Sequence, residues 1–114
     1  MSEMKNAVRP FGIAIDYDDT FTTCPETWTK VIEILRAAGA RVICVTFRNP
    51  CTPINDFPGE VFYTAGRKKW EFMHEQQVDV HIWIDDWPAL IGENPFRKAW
   101  NEGLIDSRRM AENG

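Results

Sequence analysis

The chain has 114 residues, 44% of them apolar and 26% charged, with a net charge of -4. That length supports one domain with a modest core, burying roughly two thirds of the unfolded chain's surface. The acidic balance excludes a long electrostatic footprint on nucleic acid or an anionic membrane, but not a small anionic substrate, because local charge can oppose the net charge.

Residues 11–16 read FGIAID, a short β-branched apolar run ending in a carboxylate, and predict a buried strand. Pro25 and Glu26 suit the first turn of a helix. Trp28, Val31, Ile32 and Leu35 then form one apolar stripe, and Gly39 closes the helix as a left-handed cap. Residues 41–46 predict a second buried strand containing Cys44. Such a strand-helix-strand unit pairs parallel. Pro50, Pro53 and Pro58 make residues 49–59 a loop. A third strand is expected over 61–64, a helix over 66–76, a fourth strand over 80–85, and a turn with a short helix over 87–91. Phe96, Ala99, Trp100 and Leu104 suggest a last helix packing on the sheet. A single domain over 1–114 follows, with its core at about 11–106 and a flexible tail over 107–114.

No apolar run approaches a membrane span, and residues 1–9 carry no apolar signal segment. Three cysteines (Cys24, Cys44, Cys51) without framework or CxxC spacing fit a reducing compartment and no zinc site. A cytoplasmic location and no membrane partner are expected.

Three of the predicted strands end in reactive side chains: Asp16, Thr46, and the pair Asp85-Asp86. Sites in open parallel sheets form at the carboxyl ends of strands. Asp16, Thr46 and Asp85 should therefore converge on one crevice. In Asp16-Tyr17-Asp18-Asp19-Thr20, two carboxylates at spacing two repel unless a cation lies between them. A hard cation with oxygen ligands, magnesium, suits such a site; an acidic surface turn is the other reading. Thr46 can hydrogen-bond a phosphoryl oxygen, and Arg48 can add a charged fork or sit solvated in the loop. Arg67, Lys68 and Lys69 open a helix, either as a solvated basic patch or with one lysine offsetting charge between carboxylate and phosphate. The pair Asp85-Asp86 ends a strongly apolar strand, where acids are costly unless paired or metal-bound.

In this order, DxDxT, a strand ending in Thr, Lys at a helix start, then hydrophobic-DD resemble the haloacid dehalogenase (HAD) superfamily over about residues 11–87. The WIDD stretch followed by Trp-Pro is similar to short HAD-like proteins of phage and bacterial genomes and to the phosphatase half of polynucleotide kinase-phosphatases. The resemblance implies a three-layer α/β/α Rossmann-like core with a parallel sheet. Residues 19–24 and 49–59 are too short to hold an inserted cap, so it is the capless form. It implies a Mg-dependent phosphomonoester hydrolase working through an aspartyl phosphate.

Residue by residue, Asp16 would be the nucleophile and Asp18 the acid and base. Thr20 would orient Asp18 and stand near substrate with Arg48, Arg67 and Lys68. Thr46 would bind a phosphoryl oxygen. Lys69 would offset the charge, preferred over Lys68 because Phe72 and Met73 follow at i+3 and i+4. Magnesium would be held by Asp16, the Asp18 carbonyl and Asp85, with Asp86 acting from further out or through water. Asp19 departs from the family's usual Gly.

The expected partner is a phosphate monoester, with a nucleotide or a nucleic-acid end as the form an open site would admit. Oligomerisation is left open. Two other readings are a receiver-like signalling domain, whose acidic pair would come first and whose Lys would come last, and a non-catalytic phosphate-binding module. His74 and His81 read as surface or packing residues, and the five tryptophans as mainly core, with Trp87 beside the acidic pair lining the crevice.

Overall fold

A computed structural model describes residues 11–94. The expected last helix and the tail lie outside the described residues. Four strands, β1 (Phe11–Ile15), β2 (Ala40–Thr46), β3 (Val61–Tyr63) and β4 (Ile82–Ile84), form one sheet in the order β3-β2-β1-β4. All neighbours pair parallel. Two helices, α1 (Pro25–Ala37) and α2 (Lys69–Glu75), complete a small α/β fold. No helix among the described residues is long and apolar enough to cross a membrane.

The alternation of side chains along the central strands divides the core in two. Ile13 and Ile15 of β1 join Val42 and Cys44 of β2 in one cluster, with Ile32 of α1 and with Phe21, Ile54 and Phe57 from loops. Ala14 of β1 joins Ile43 and Val45 of β2 in the other, with Met73 of α2 and Val80. Strands buried on both sides read as continuous apolar runs, as β1 and β2 do.

Helix α1 keeps its predicted start, with Pro25 in the first turn, and Gly39 takes the left-handed turn at φ 99. Helix α2 begins at Lys69, later than expected, because Ala65 (φ 52) and Gly66 (φ 86) form a left-handed turn. The β4 strand is confined to Ile82–Ile84, paired on β1 over Ile13 to Ile15. Below it, Gly12 exchanges bonds with His81: its N–H donates to His81 Nδ1 (3.0 Å) and its carbonyl accepts the His81 N–H (2.8 Å). A Cβ at Gly12 would stand 2.1 Å from the Asp79 carbonyl oxygen.

Among the described residues no tryptophan is fully buried, although Trp28 and Trp83 pack against the core clusters. Trp28, Trp70 and Trp83 are half-buried at the edges of the clusters, and Trp87 is 60% exposed. An indole is too large to fit between a short sheet and two helices without leaving an edge in water. Trp100 lies outside the described residues.

The chain runs from β1 to β2 on one side and returns from β3 through α2 to β4 on the other. Strand order therefore reverses between β1 and β4, where open α/β sheets form their crevice.

Candidate functional site

Asp16 follows β1 and is held by the sheet, its N–H donating to the Ile84 carbonyl (2.9 Å). Asp85 follows β4 directly, so the two carboxylates lie side by side at the carboxyl end. The register pairs Ile15 with both Cys44 and Ile84, which sets Thr46, the last residue of β2, at the same end. The sheet thus sets Asp16, Thr46 and Asp85 at the same end of neighbouring strands.

After Asp16 the chain makes a tight turn. The Phe21 and Thr22 N–H groups donate back to the Asp16 and Tyr17 carbonyls. Asp19 sits at φ 62, the left-handed region that explains a glycine preference here and that Asp tolerates better than most side chains. Phe21, fully buried and edge-on to Phe57 at 5.2 Å, anchors this turn to the core.

Lys69 is the centre of the site. Its side chain is 0% exposed, and its Nζ donates to Asp16 Oδ1 (2.8 Å) and Asp85 Oδ2 (2.6 Å). Met73, one turn on, fixes the same helix face in the core. Lys68 turns the other way, to the Ala89 carbonyl (2.8 Å).

Oxygens of Asp16, Asp85 and Asp86 lie within 4.8 Å of one another. Three carboxylates against one ammonium leave two negative charges at one half-buried point. Burial pushes the Asp16 carboxyl up to about 6; the Lys69 hydrogen bond and charge pull it back, while Asp86 and Asp85 add to the rise. Hard oxygen donors with this charge excess suit a divalent cation such as magnesium. The Asp85 Oδ1 also accepts the Trp87 N–H (2.9 Å), which orients it.

Thr20 departs from its expected role. Its hydroxyl lies 3.2 Å from Asp16 Oδ2 and 3.3 Å from Asp86 Oδ1, so it orients those two and not Asp18. The turn after β1 directs it inward, where it is 7% exposed.

Asp18 points outward and is clamped by Arg48, with Nε to Oδ2 at 2.9 Å and Nη2 to Oδ1 at 2.8 Å. That fork holds the Asp18 carboxyl below its usual range, against a smaller rise from burial. Asp18's side chain is thus not among the clustered carboxylates.

Thr46 is buried. Its Oγ1 accepts the Arg48 N–H (3.1 Å) and donates to no group among the described residues. Arg67 is not brought to the site. It forks onto Glu75 and lies over the Phe72 ring.

Two residues escaped the sequence reading. Tyr17 lies under Arg48 (5.0 Å to the ring centroid) and donates its hydroxyl to Asp56 Oδ1 (2.7 Å). Thr64, after β3, is 1% exposed with its hydroxyl unpaired among the described residues. A hydroxyl residue at the end of a strand, as at Thr46, is the signal in the sequence that points to Thr64.

Comparison with protein-family models, curated protein sequences and solved structures returned no match. The site is therefore argued from its own geometry.

Proposed function

We propose that this chain is a magnesium-dependent phosphomonoester hydrolase of the haloacid dehalogenase type, with a capless three-layer α/β/α core and Asp16 as nucleophile. The observation that carries this reading is the buried Lys69 ammonium between Asp16 and Asp85, which still leaves two negative charges with Asp86. A fully buried lysine shared between two carboxylates, beside a third, is an arrangement that functional sites use to tune charge.

Asp16 Oδ attacks the phosphorus of the monoester, and the bond from phosphorus to the leaving oxygen breaks. Asp18 protonates that oxygen. Asp18 then takes a proton from water, which attacks the aspartyl phosphate, releasing phosphate and restoring the Asp16 carboxylate. Thr46 donates its hydroxyl to a phosphoryl oxygen. Lys69 fixes the Asp16 carboxylate and offsets charge developing around it. Thr20 holds Asp16 and Asp86 in place. Asp16, Asp85, Asp86 and the Asp18 carbonyl would hold a magnesium ion, which would supply positive charge to offset that of the phosphoryl group.

No inserted domain interrupts residues 11–94 to close over the crevice. An open site admits phosphate on a large or extended carrier, so a nucleotide or a nucleic-acid terminal phosphate is the proposed substrate. Trp87, exposed beside Asp86, offers a stacking face for a base. The test is phosphate release from a mononucleotide, a phosphorylated oligonucleotide and hexose phosphates. Release should require magnesium, cease with a chelator, and show higher kcat/KM for the first two. Full activity in the chelator would defeat the metal site. Highest kcat/KM on hexose phosphates would defeat the substrate assignment and leave the Asp16 chemistry standing.

A further inference from the structure

An acid and base must present an oxygen to its substrate, yet both Asp18 oxygens are occupied by the Arg48 guanidinium. The same guanidinium rests on the Tyr17 ring, and its Nη1 lies 3.4 Å from the Thr52 carbonyl. Tyr17 is itself held by Asp56. The Arg48 backbone is fixed as well. Its N–H donates to the Thr46 hydroxyl oxygen, and its carbonyl accepts the Ala65 N–H (3.1 Å). Only the side chain is free to move, and it starts two residues from the hydroxyl proposed to bind phosphate.

We propose that Arg48 is a substrate-released latch on Asp18. This rests on the phosphatase reading of the site. In the free chain the guanidinium holds Asp18 turned out from Asp16. A phosphoryl dianion bound at Thr46 offers the fork more negative charge than one carboxylate does, with the same paired-oxygen geometry. The guanidinium passes to the phosphoryl group, and Asp18, taking a proton from water once the guanidinium has left, is freed to face the leaving oxygen as the acid.

The pair is suited to exchange. The Arg48 and Asp18 side chains are 30% and 52% exposed, and ion pairs so open to water are weakly held. The contrast with Lys69, fully buried between its carboxylates, is direct. Arg48 thereby binds the phosphoryl group and, by leaving Asp18, couples phosphate binding to the readiness of the acid.

Inorganic phosphate with magnesium is the probe, read by calorimetry and by the Arg48 Nε–H resonance, assigned as the signal that Arg48→Lys removes. In the native chain that resonance should move when phosphate is added. Arg48→Gln should weaken phosphate binding about tenfold, the lower end for a lost charge-assisted fork. Asp18→Asn should tighten it about threefold, since no ion pair need be broken first. The tightening should be smaller when Asp18→Asn is combined with Arg48→Gln, because the latch is then already absent.

Phosphate binding with an unmoved Arg48 resonance, or equal tightening in both backgrounds, would overturn the latch and leave the site intact. Failure of the native chain to bind phosphate at all would overturn the reading of the site, and the latch with it.

Discussion

Both ends of the sheet carry a cation paired with carboxylate, and the two pairs have opposite meanings. At the amino end, Arg41 forks onto Glu60 at 3.0 and 2.9 Å, with side chains 49% and 55% exposed. At the carboxyl end, Lys69 meets Asp16 and Asp85 at 2.8 and 2.6 Å, with side chains 0%, 9% and 2% exposed. The distances are alike. What differs is burial and balance: one cation answers one carboxylate in water, while the other is shared within a carboxylate cluster and kept from water. A short ion pair does not mark a site; a fully buried cation shared within a carboxylate cluster does.

The largest expected effects break the carboxyl-end cluster. Asp16→Asn should lower kcat by roughly 10⁴-fold or more, as loss of a nucleophile does. Asp18→Asn should cost about 10²–10⁴-fold, the range for an acid and base. The double variant should be no worse than Asp16→Asn alone, because groups acting as a unit are not additive. Steady-state rates on a phosphate monoester check all three. Substantial turnover by Asp16→Asn would remove the nucleophile from the account.

The comparison itself is tested by stability. Lys69→Met should destabilise the fold by about 3–5 kcal/mol, because it strands two carboxylates that the ammonium had compensated. Arg41→Gln should change stability by less than about 1 kcal/mol. Urea unfolding of the two variants measures both. Equal losses would show that burial is not what separates the two ends.

Much of this was legible in the sequence, for physical reasons that differ by element. Strands β1 and β2 are apolar on both faces, so their runs stand out. Helix α1 shows its stripe because only one face meets the sheet. The choice of Lys69 over Lys68 came from Phe72 and Met73 at the next turn, and the fold does turn Lys69 inward. Strands β3 and β4 are shorter than their apolar runs predict, since their length is set by the neighbouring strand's register and not by their own composition. Partners across loops were least visible. Thr20 bonds to Asp16 and Asp86, and Arg48 takes Asp18, through the conformation of residues 17–20 and 46–48. Such choices carry no local pattern. The position of Arg67 in the basic run at a helix start points it at the crevice, but a partner eight residues on, Glu75, claims it.

The smallest effect lies in the core between the two ends. Cys44 is 0% exposed, and burial pushes its thiol up to about 12, with the Asp16 charge adding to the rise. Cys24 and Cys51 are exposed. A thiol reagent should modify two cysteines in the native chain and the third only on unfolding. The folded pKa of Cys44 lies above its unfolded value of about 8.5. Its contribution to stability is therefore fully present below that pH and is lost as pH rises toward 12. Rapid modification of all three cysteines would contradict the packing of β2.

The central claim is that Asp16 carries the phosphoryl group. Its most direct test is to mix the native chain with magnesium and a phosphate monoester, quench in acid within one turnover, and map the peptides by mass spectrometry. The account predicts one phosphoryl group on the peptide containing Asp16, absent when substrate is omitted and absent in Asp16→Asn. Phosphate released at full rate with Asp16 never labelled, or a label carried by another residue, would contradict it.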